Sequence, residues 1–184
     1  QQLGGLIEER PAIEETTAAE PRSLVRKWTV KELLSSREAP QDRDLARGAK
    51  VFAQALCIQC HRFGSRGTLI GPDLTSVGRR FNRRDLLSSI IEPSRVVADN
   101  YRSLRIVTAD GRTYVGQATI GGDYRLPVLR LSTDPGQPLK TIEIPKNEIE
   151  SQKYSDVSWM PDGLVDHFTR QEILDLVAYL QSAP

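Results

Sequence analysis

Between Tyr101 and Tyr154 the residue pattern changes its period. The run "YRSLRIVTADGRTYVGQATIGGDYRLPVLRLSTDPGQPLKTIEIPKNEIESQKY" alternates apolar and polar residues and is rich in β-branched side chains, the pattern of strands that bury one face. Turn signals at Asp110-Gly111, Gly121-Gly122-Asp123 and Asp134-Pro135-Gly136 divide it into four or five short antiparallel strands.

On both sides of this run the apolar spacing is helical. Thr29 with Glu32 three residues on forms a capping box and Pro40 is a stop, so a short helix is expected from about 30 to 37. A second helix starts after Asp42 or Asp44 and carries Leu45, Ala49, Phe52 and Ala53 at helical spacing. Its Gly48 weakens it unless another element must come close, and the last helix, near Tyr179, is the expected neighbour. "RRDLLSSIIEPS" turns Leu86, Leu87, Ile90 and Ile91 inward and stops at Pro93. "TRQEILDLVAYLQSA" opens on a Thr169/Glu172 box and presents Ile173, Leu176, Val177 and Leu180 as a buried face. The expected fold class is therefore α+β: a mainly α domain into which a small antiparallel β-sheet or barrel is inserted. Residues Gln1 to Pro21, rich in Glu, Ala and Thr, read as a linker or tail.

The charge balance removes two classes of partner. With 25 basic and 24 acidic residues in 184 the net charge is +1, so no broad field draws the chain to nucleic acid or to an anionic membrane. No basic segment followed by an apolar one opens the sequence, and no run approaches the ~18 apolar residues of a membrane span. The chain reads as soluble, either a processed protein or a piece of a longer one, and localisation has to come from chemistry.

That chemistry is concentrated in "CIQCH", residues 57 to 61, which holds the only cysteines of the chain. Three readings compete. A structural zinc site needs about four Cys or His ligands; the chain has Cys57, Cys60, His61 and His167, and His61 is awkward as a third ligand so close to Cys60. A redox dithiol wants a strand-to-helix junction and a depressed thiol pKa, whereas here a helix precedes the motif and a Gly-rich loop, "RFGSRGTLIGPDLTSVGRR", follows. In the third, two thiols three positions apart add to the two vinyl groups of a porphyrin and the next histidine ligates its iron.

Other residues have roles in that third scheme. Met160, the only methionine, stands in "SWMPDGL" just before the last helix and offers a soft thioether for the iron's sixth position. His167 is the rival ligand, read as a surface or capping histidine. Phe52, Leu69, Ile70, Leu74, Trp159 and Leu164 are candidates to wall the porphyrin, and Pro72 stiffens a loop whose carbonyl accepts the His61 Nδ1–H. Each has an ordinary alternative in core or turn.

In this order, a helix with Gly48 and Phe52, "CIQCH", "GPDL", a Met loop and "ILDLVAYL" resemble a class I, mitochondrial-type cytochrome c domain. The stretch "CIQCHRFGSRGTLIGPDLTSVGRRFNRRDLLSSIIEPSRVVADNY" with "SWMPDGL" resembles more narrowly the planctomycete and verrucomicrobial haem-binding domain, over about residues 42 to 182. The resemblance implies a haem domain made of 41–100 and 155–184, an inserted β subdomain at 101–154 and an N-terminal extension with a short helix at 1–40. It implies one covalent haem c held by Cys57 and Cys60, with His61 and Met160 as axial ligands. Trp159 stands where a Leu-like residue is expected, which alters haem exposure. The insert is loosely similar to a small Sm-like or SH3-like barrel.

The implied function is electron transfer by an iron that stays six-coordinate, not enzymatic turnover. A haem gas sensor or peroxidase-like enzyme, in which Met160 leaves the iron or never binds it, is the alternative. The implied partner is a redox protein or a fused dehydrogenase-type domain, with a homodimer through the β insert as a further expectation. Attachment chemistry of this kind implies the periplasm or another extracytoplasmic space.

Overall fold

The computed structural model describes residues 22–35, 43–119 and 125–182. The expected linker at 1–21, the end of the first helix beyond residue 35 and the Gly121-Gly122-Asp123 turn lie outside them. The elements are α1 (Val30–Leu34), α2 (Leu45–Gln54), α3 (Cys57–Cys60), α4 (Val77–Arg80), α5 (Arg83–Ile91), β1 (Arg102–Thr108), β2 (Thr113–Ala118), β3 (Val128–Ser132), β4 (Ile142–Pro145), β5 (Ile149–Ser158) and α6 (Arg170–Gln181). The chain is thus mixed α+β, with a five-stranded antiparallel sheet between α5 and α6 in sequence.

The helix starts are set by short polar caps. Thr29 accepts from Glu32 N, Asp44 from Arg47 N, Asn82 from Asp85 N and Thr169 from Glu172 N, and three of these are full capping boxes. Each satisfies donors that a helix start leaves without a partner.

α2 lies across α6, and residues from both sides of the sheet segment share one core. Leu33, Val51, Phe52, Phe63, Leu86 and Leu87 pack with Val165, Phe168, Ile173, Leu176, Val177 and Leu180. The α6 face is the expected one, with Leu174 and Asp175 buried as well. α2 departs from expectation in part: Phe52 is buried as expected, together with Gly48 and Val51, whereas Leu45 is 45 % exposed. Ile90 and Ile91 are only partly buried against the core. Phe52, Phe63 and Tyr179 form an aromatic trio at the α2–α6 seam, with Phe63 and Tyr179 ring centroids 4.6 Å apart.

The sheet order is β4-β3-β2-β1-β5. Consecutive β4 and β5 therefore occupy opposite edges, yet only the 3₁₀ turn Lys146–Glu148 joins them. In a flat sheet those edges would stand about 19 Å apart, and such a turn spans only about 8 Å. The sheet must curl strongly toward a barrel. Its inside holds Leu104, Ile106, Leu131 and Ile144, and β3 lies close against Gly116 of β2, where a Cβ would stand 2.1 Å from Ser132 O. β5 continues to Ser158 and hands the chain to the loop that carries Trp159 and Met160.

Candidate haem site

After α2 the backbone reverses through Leu56, the one described non-glycine residue with positive φ, 61°. The reversal lets Cys57–Cys60 form a single helical turn, closed by His61 N donating to Cys57 O at 2.8 Å. The cysteine motif is thus itself a helical turn, and the loop expected after it is helical at its far end, at α4, where Val77 is buried. The turn places Cys57 and Cys60 three positions apart on one face.

His61 leaves the turn in extended conformation, and its ring is held from the following loop. Nδ1 lies 2.8 Å from Pro72 O; a carbonyl can only accept, so Nδ1 carries the hydrogen and Nε2 keeps its lone pair. Burial pushes the His61 pKa below the ordinary histidine value, and the Pro72 hydrogen bond only partly opposes it. The ring is consequently a neutral donor of one defined tautomer, the form that binds metal.

Two glycines make this possible. A Cβ on Gly71 would stand 2.7 Å from His61 Cε1 and 2.9 Å from Nδ1, and one on Gly67, at φ +95°, 2.1 Å from His61 O. Gly71 N donates to Cys60 O at 2.7 Å and Leu74 N to Arg62 O at 2.8 Å, which stitches the loop to the cysteine turn. Asp73 pairs with Arg62 and accepts from Thr75 Oγ1 at 2.6 Å and Thr75 N at 2.8 Å. The Thr75 hydroxyl first, then its N–H and Arg62, hold the Asp73 carboxyl down at about 2.

The thiols are not those of a redox dithiol. Burial pushes Cys57 up to about 12 and Cys60 upward as well, opposite to the depressed value such a site needs. Nor do three His, Cys, Asp or Glu side chains converge as a metal-ion site among the described residues, which include both cysteines and both histidines. His167 is exposed, and its Nδ1 lies 2.9 Å from Arg22 O.

Of the other sequence-predicted residues, Phe52 is buried in the α2–α6 seam, and Cys57, Ile58 and Leu74 pack partly buried on the same core. Ile70 and Pro72 are half-buried and Leu69 is 53 % exposed. Trp159, Met160 and Leu164 are half-buried in the separate loop between β5 and α6. That loop is bracketed by Ser158 N donating to Ser94 Oγ and Met160 N donating to Ser158 Oγ, both at 3.1 Å. The Trp159 Nε1 is buried with no acceptor among the described residues. The β3–β4 connection also reaches the cysteine turn: Gly136–Lys140 share a cleft of about 480 Å³ with Ile58, Gln59 and Thr68. Sequence reasoning missed Gly67 and Gly71 as supports of His61, although glycines so dense in one short loop were the signal.

Residues 45–114 match the family model for cytochrome c. No curated protein matches the chain. Cytochrome c domains bind haem c covalently, with iron at its centre, and the matched residues include the two cysteines of the chain, Cys57 and Cys60. The donor set suits that group: two neighbouring thiols, an imidazole whose Nδ1 is held by Pro72 O and a glycine cradle against the ring.

Proposed function

We propose that the chain is a single-haem electron carrier in which His61, through Nε2, and Met160, through its thioether, are the axial ligands. The match to the cytochrome c family supports a haem-binding, electron-transferring role. The observation that carries the finer reading is the His61 Nδ1–Pro72 O bond beside Cys57 and Cys60, which leaves one nitrogen for iron. Cys57 and Cys60 are the anchors, each S–H adding across a vinyl C=C with no oxidant required. The bound haem supplies one-electron Fe(III)/Fe(II) exchange, and Met as sixth ligand raises its potential.

Phe52, Leu69, Ile70, Leu74, Trp159 and Leu164 keep water from the iron. With both axial positions filled the chain is a carrier and not an enzyme. The haem domain comprises 41–100 and 155–184, the β subdomain 101–154 is inserted in it, and 1–40 is an N-terminal extension whose short helix packs Leu33 into the helical core. The proximity of Gly136–Lys140 to the cysteine turn supports a β insert that screens one side of the haem attachment. The domain works as a module of a larger periplasmic redox protein, exchanging electrons with a fused or separate dehydrogenase-type partner. No described helix is long and apolar enough to cross a membrane.

The test is the optical spectrum of the oxidised, haem-loaded protein. A low-spin spectrum with the weak red Met-to-iron charge-transfer band is expected, and Met160→Ala abolishes that band. A wild-type high-spin spectrum that binds CO readily, unchanged by Met160→Ala, sinks the carrier and points to a gas sensor or peroxidase-like enzyme.

A further inference from the structure

The turn Cys57–Cys60 is too short to satisfy its own carbonyl groups, as any helix end is, and the residues after it supply the donors. Cys57 O accepts from His61 N at 2.8 Å and Cys60 O from Gly71 N at 2.7 Å. Gln59 O, between them, is reached by no backbone N–H among the described residues. Its donor is a side chain, the Thr68 hydroxyl, at 2.5 Å. Gly67 brings the chain to that position: at φ +95° it passes so close to the turn that a Cβ would lie 2.1 Å from His61 O and 3.1 Å from Ile58 O. Gly67 and Leu69 are exposed, whereas Thr68 between them is half-buried. Ile58, Gln59 and Thr68 also line the cleft they share with Gly136–Lys140, so the β3–β4 connection comes to the very residues that this bond joins.

Gln59 stands between the two cysteines, and a donor on its carbonyl fixes the peptide plane that leads into Cys60. That plane sets the direction in which Cys60 leaves the turn relative to Cys57. We infer that Thr68 is a positioning residue for the haem: its hydroxyl holds the turn in the shape in which both thioether bonds and the His61 ring meet one porphyrin, and so sets how far the macrocycle is bent from flat. Distortion of the macrocycle and exposure to water are both levers on a haem's reduction potential. The inference rests on the haem reading above. Valine at 68 would present the same shape to Gly136–Lys140 and lack only the donor, which isolates the hydroxyl as the group at work.

The test uses the haem-loaded protein and its Thr68→Val, Thr68→Ser and Gly48→Ala variants, the last a control that crowds α2 against Asp175 and Tyr179. In Thr68→Val the amide hydrogens of His61 and Gly71 are expected to exchange about fivefold faster, the worth of one net hydrogen bond. The out-of-plane macrocycle bands of the resonance Raman spectrum change in intensity, and the reduction potential falls, because a looser turn admits water and water favours the more charged, oxidised iron. Thr68→Ser, which keeps the hydroxyl, restores all three, and Gly48→Ala moves neither the bands nor the potential. Bands and potential of wild type in Thr68→Val, or an equal change in Gly48→Ala, overturn the inference and leave Thr68 an ordinary loop residue. A further measurement needs no variant: in the wild type the Thr68 hydroxyl proton is expected to be protected from exchange and coupled to the Gln59 carbonyl carbon, and a freely exchanging hydroxyl overturns the inference even where Thr68→Val fails to fold. Loss of the Met-to-iron band with the Thr68 signals intact sinks the Met160 assignment alone. A chain that takes up no covalent haem overturns both.

Discussion

Gly48 of α2 lies directly on the main chain of Asp175 in α6: a Cβ at 48 would stand 2.2 Å from the Asp175 carbonyl oxygen and 2.7 Å from Tyr179 Cβ. The two helices meet backbone to backbone, and the Phe52–Tyr179–Phe63 trio closes the seam beside that contact. Gly48→Ala must part the helices, because backbone cannot move aside as a flexible side chain can. Overpacking of this kind costs about 1–3 kcal/mol, partly offset by the roughly 1 kcal/mol that alanine gains over glycine in a helix. The crowding wins, and urea unfolding of the haem-loaded protein should show a lower midpoint with little change in slope.

The same turn of α6 carries the one described acidic side chain that is fully buried. Asp175 is 0 % exposed, receives Arg47 Nε and Asp44 N, and lies 3.9 Å from Arg43 Nη1. It ties the start of α2 to the middle of α6 and leaves the guanidinium of Arg47 partly exposed. Asp175→Ala removes the acceptor of Arg47 Nε and Asp44 N and the counter-charge of the buried Arg43 side chain; because Arg47 is partly exposed and can turn to water, the loss falls below the roughly 3–5 kcal/mol of breaking a wholly buried pair. Asp175→Leu is expected to lose less than alanine, since it refills the volume. Chemical denaturation of the three proteins side by side orders them; an alanine variant as stable as wild type refutes the clamp.

Asp175 also shows where the sequence stopped being legible. Periodicity read Ile173, Leu176, Val177 and Leu180 correctly, and short polar signals located the caps at Thr29 and Thr169 and narrowed that of α2 to Asp42 or Asp44, because those interactions join residues three or four apart. A carboxylate amid that stripe looks like solvated surface, and its partner Arg47 stands 128 positions away. A loop carbonyl as acceptor for His61 was legible because a ligating imidazole needs its second nitrogen held; that the carbonyl is that of Pro72 itself comes from the structure. Gly71 was not legible: the density of glycines marks the loop but does not say which of them lies against the ring. The sheet edges were equally hidden: alternation gives strands, but only the pairing of β5 with β1 shows that the sheet curls.

Asp73 gives a pH dependence with a definite sign. Its carboxyl is held from an ordinary 3.8 down to about 2 in the folded chain, chiefly by the Thr75 hydroxyl. A depressed folded value means that its contribution is fully present above about 4 and is lost as pH falls through the folded value near 2. Thermal melts between pH 5 and pH 2 should therefore fall less steeply in Asp73→Asn than in wild type, with the curves converging at the acid end. Identical slopes would mean that the Arg62–Asp73–Thr75 knot contributes nothing to the loop that holds His61.

Gly71→Ala separates support of His61 from general stability. The added methyl would sit 2.7 Å from His61 Cε1 and 2.9 Å from Nδ1, so the ring must tilt and its 2.8 Å bond to Pro72 O must lengthen or break. The cysteine turn, though it accepts from Gly71 N at Cys60 O, has its own closure through His61 N and Cys57 O. Covalent attachment through Cys57 and Cys60 should persist while ligation by Nε2 weakens; loss of a supporting hydrogen bond at a metal ligand typically costs about 10–100-fold in affinity. The expected result is a variant that stays red after acid extraction of free haem but shows a high-spin fraction rising as pH falls, where protonation of the loosened imidazole competes with iron. Pro72→Ala, which keeps the carbonyl, should stay close to wild type. A Gly71→Ala protein with a wild-type low-spin spectrum across pH would show that the imidazole is not held by this loop, and with it would go the main geometric support for His61 as proximal ligand.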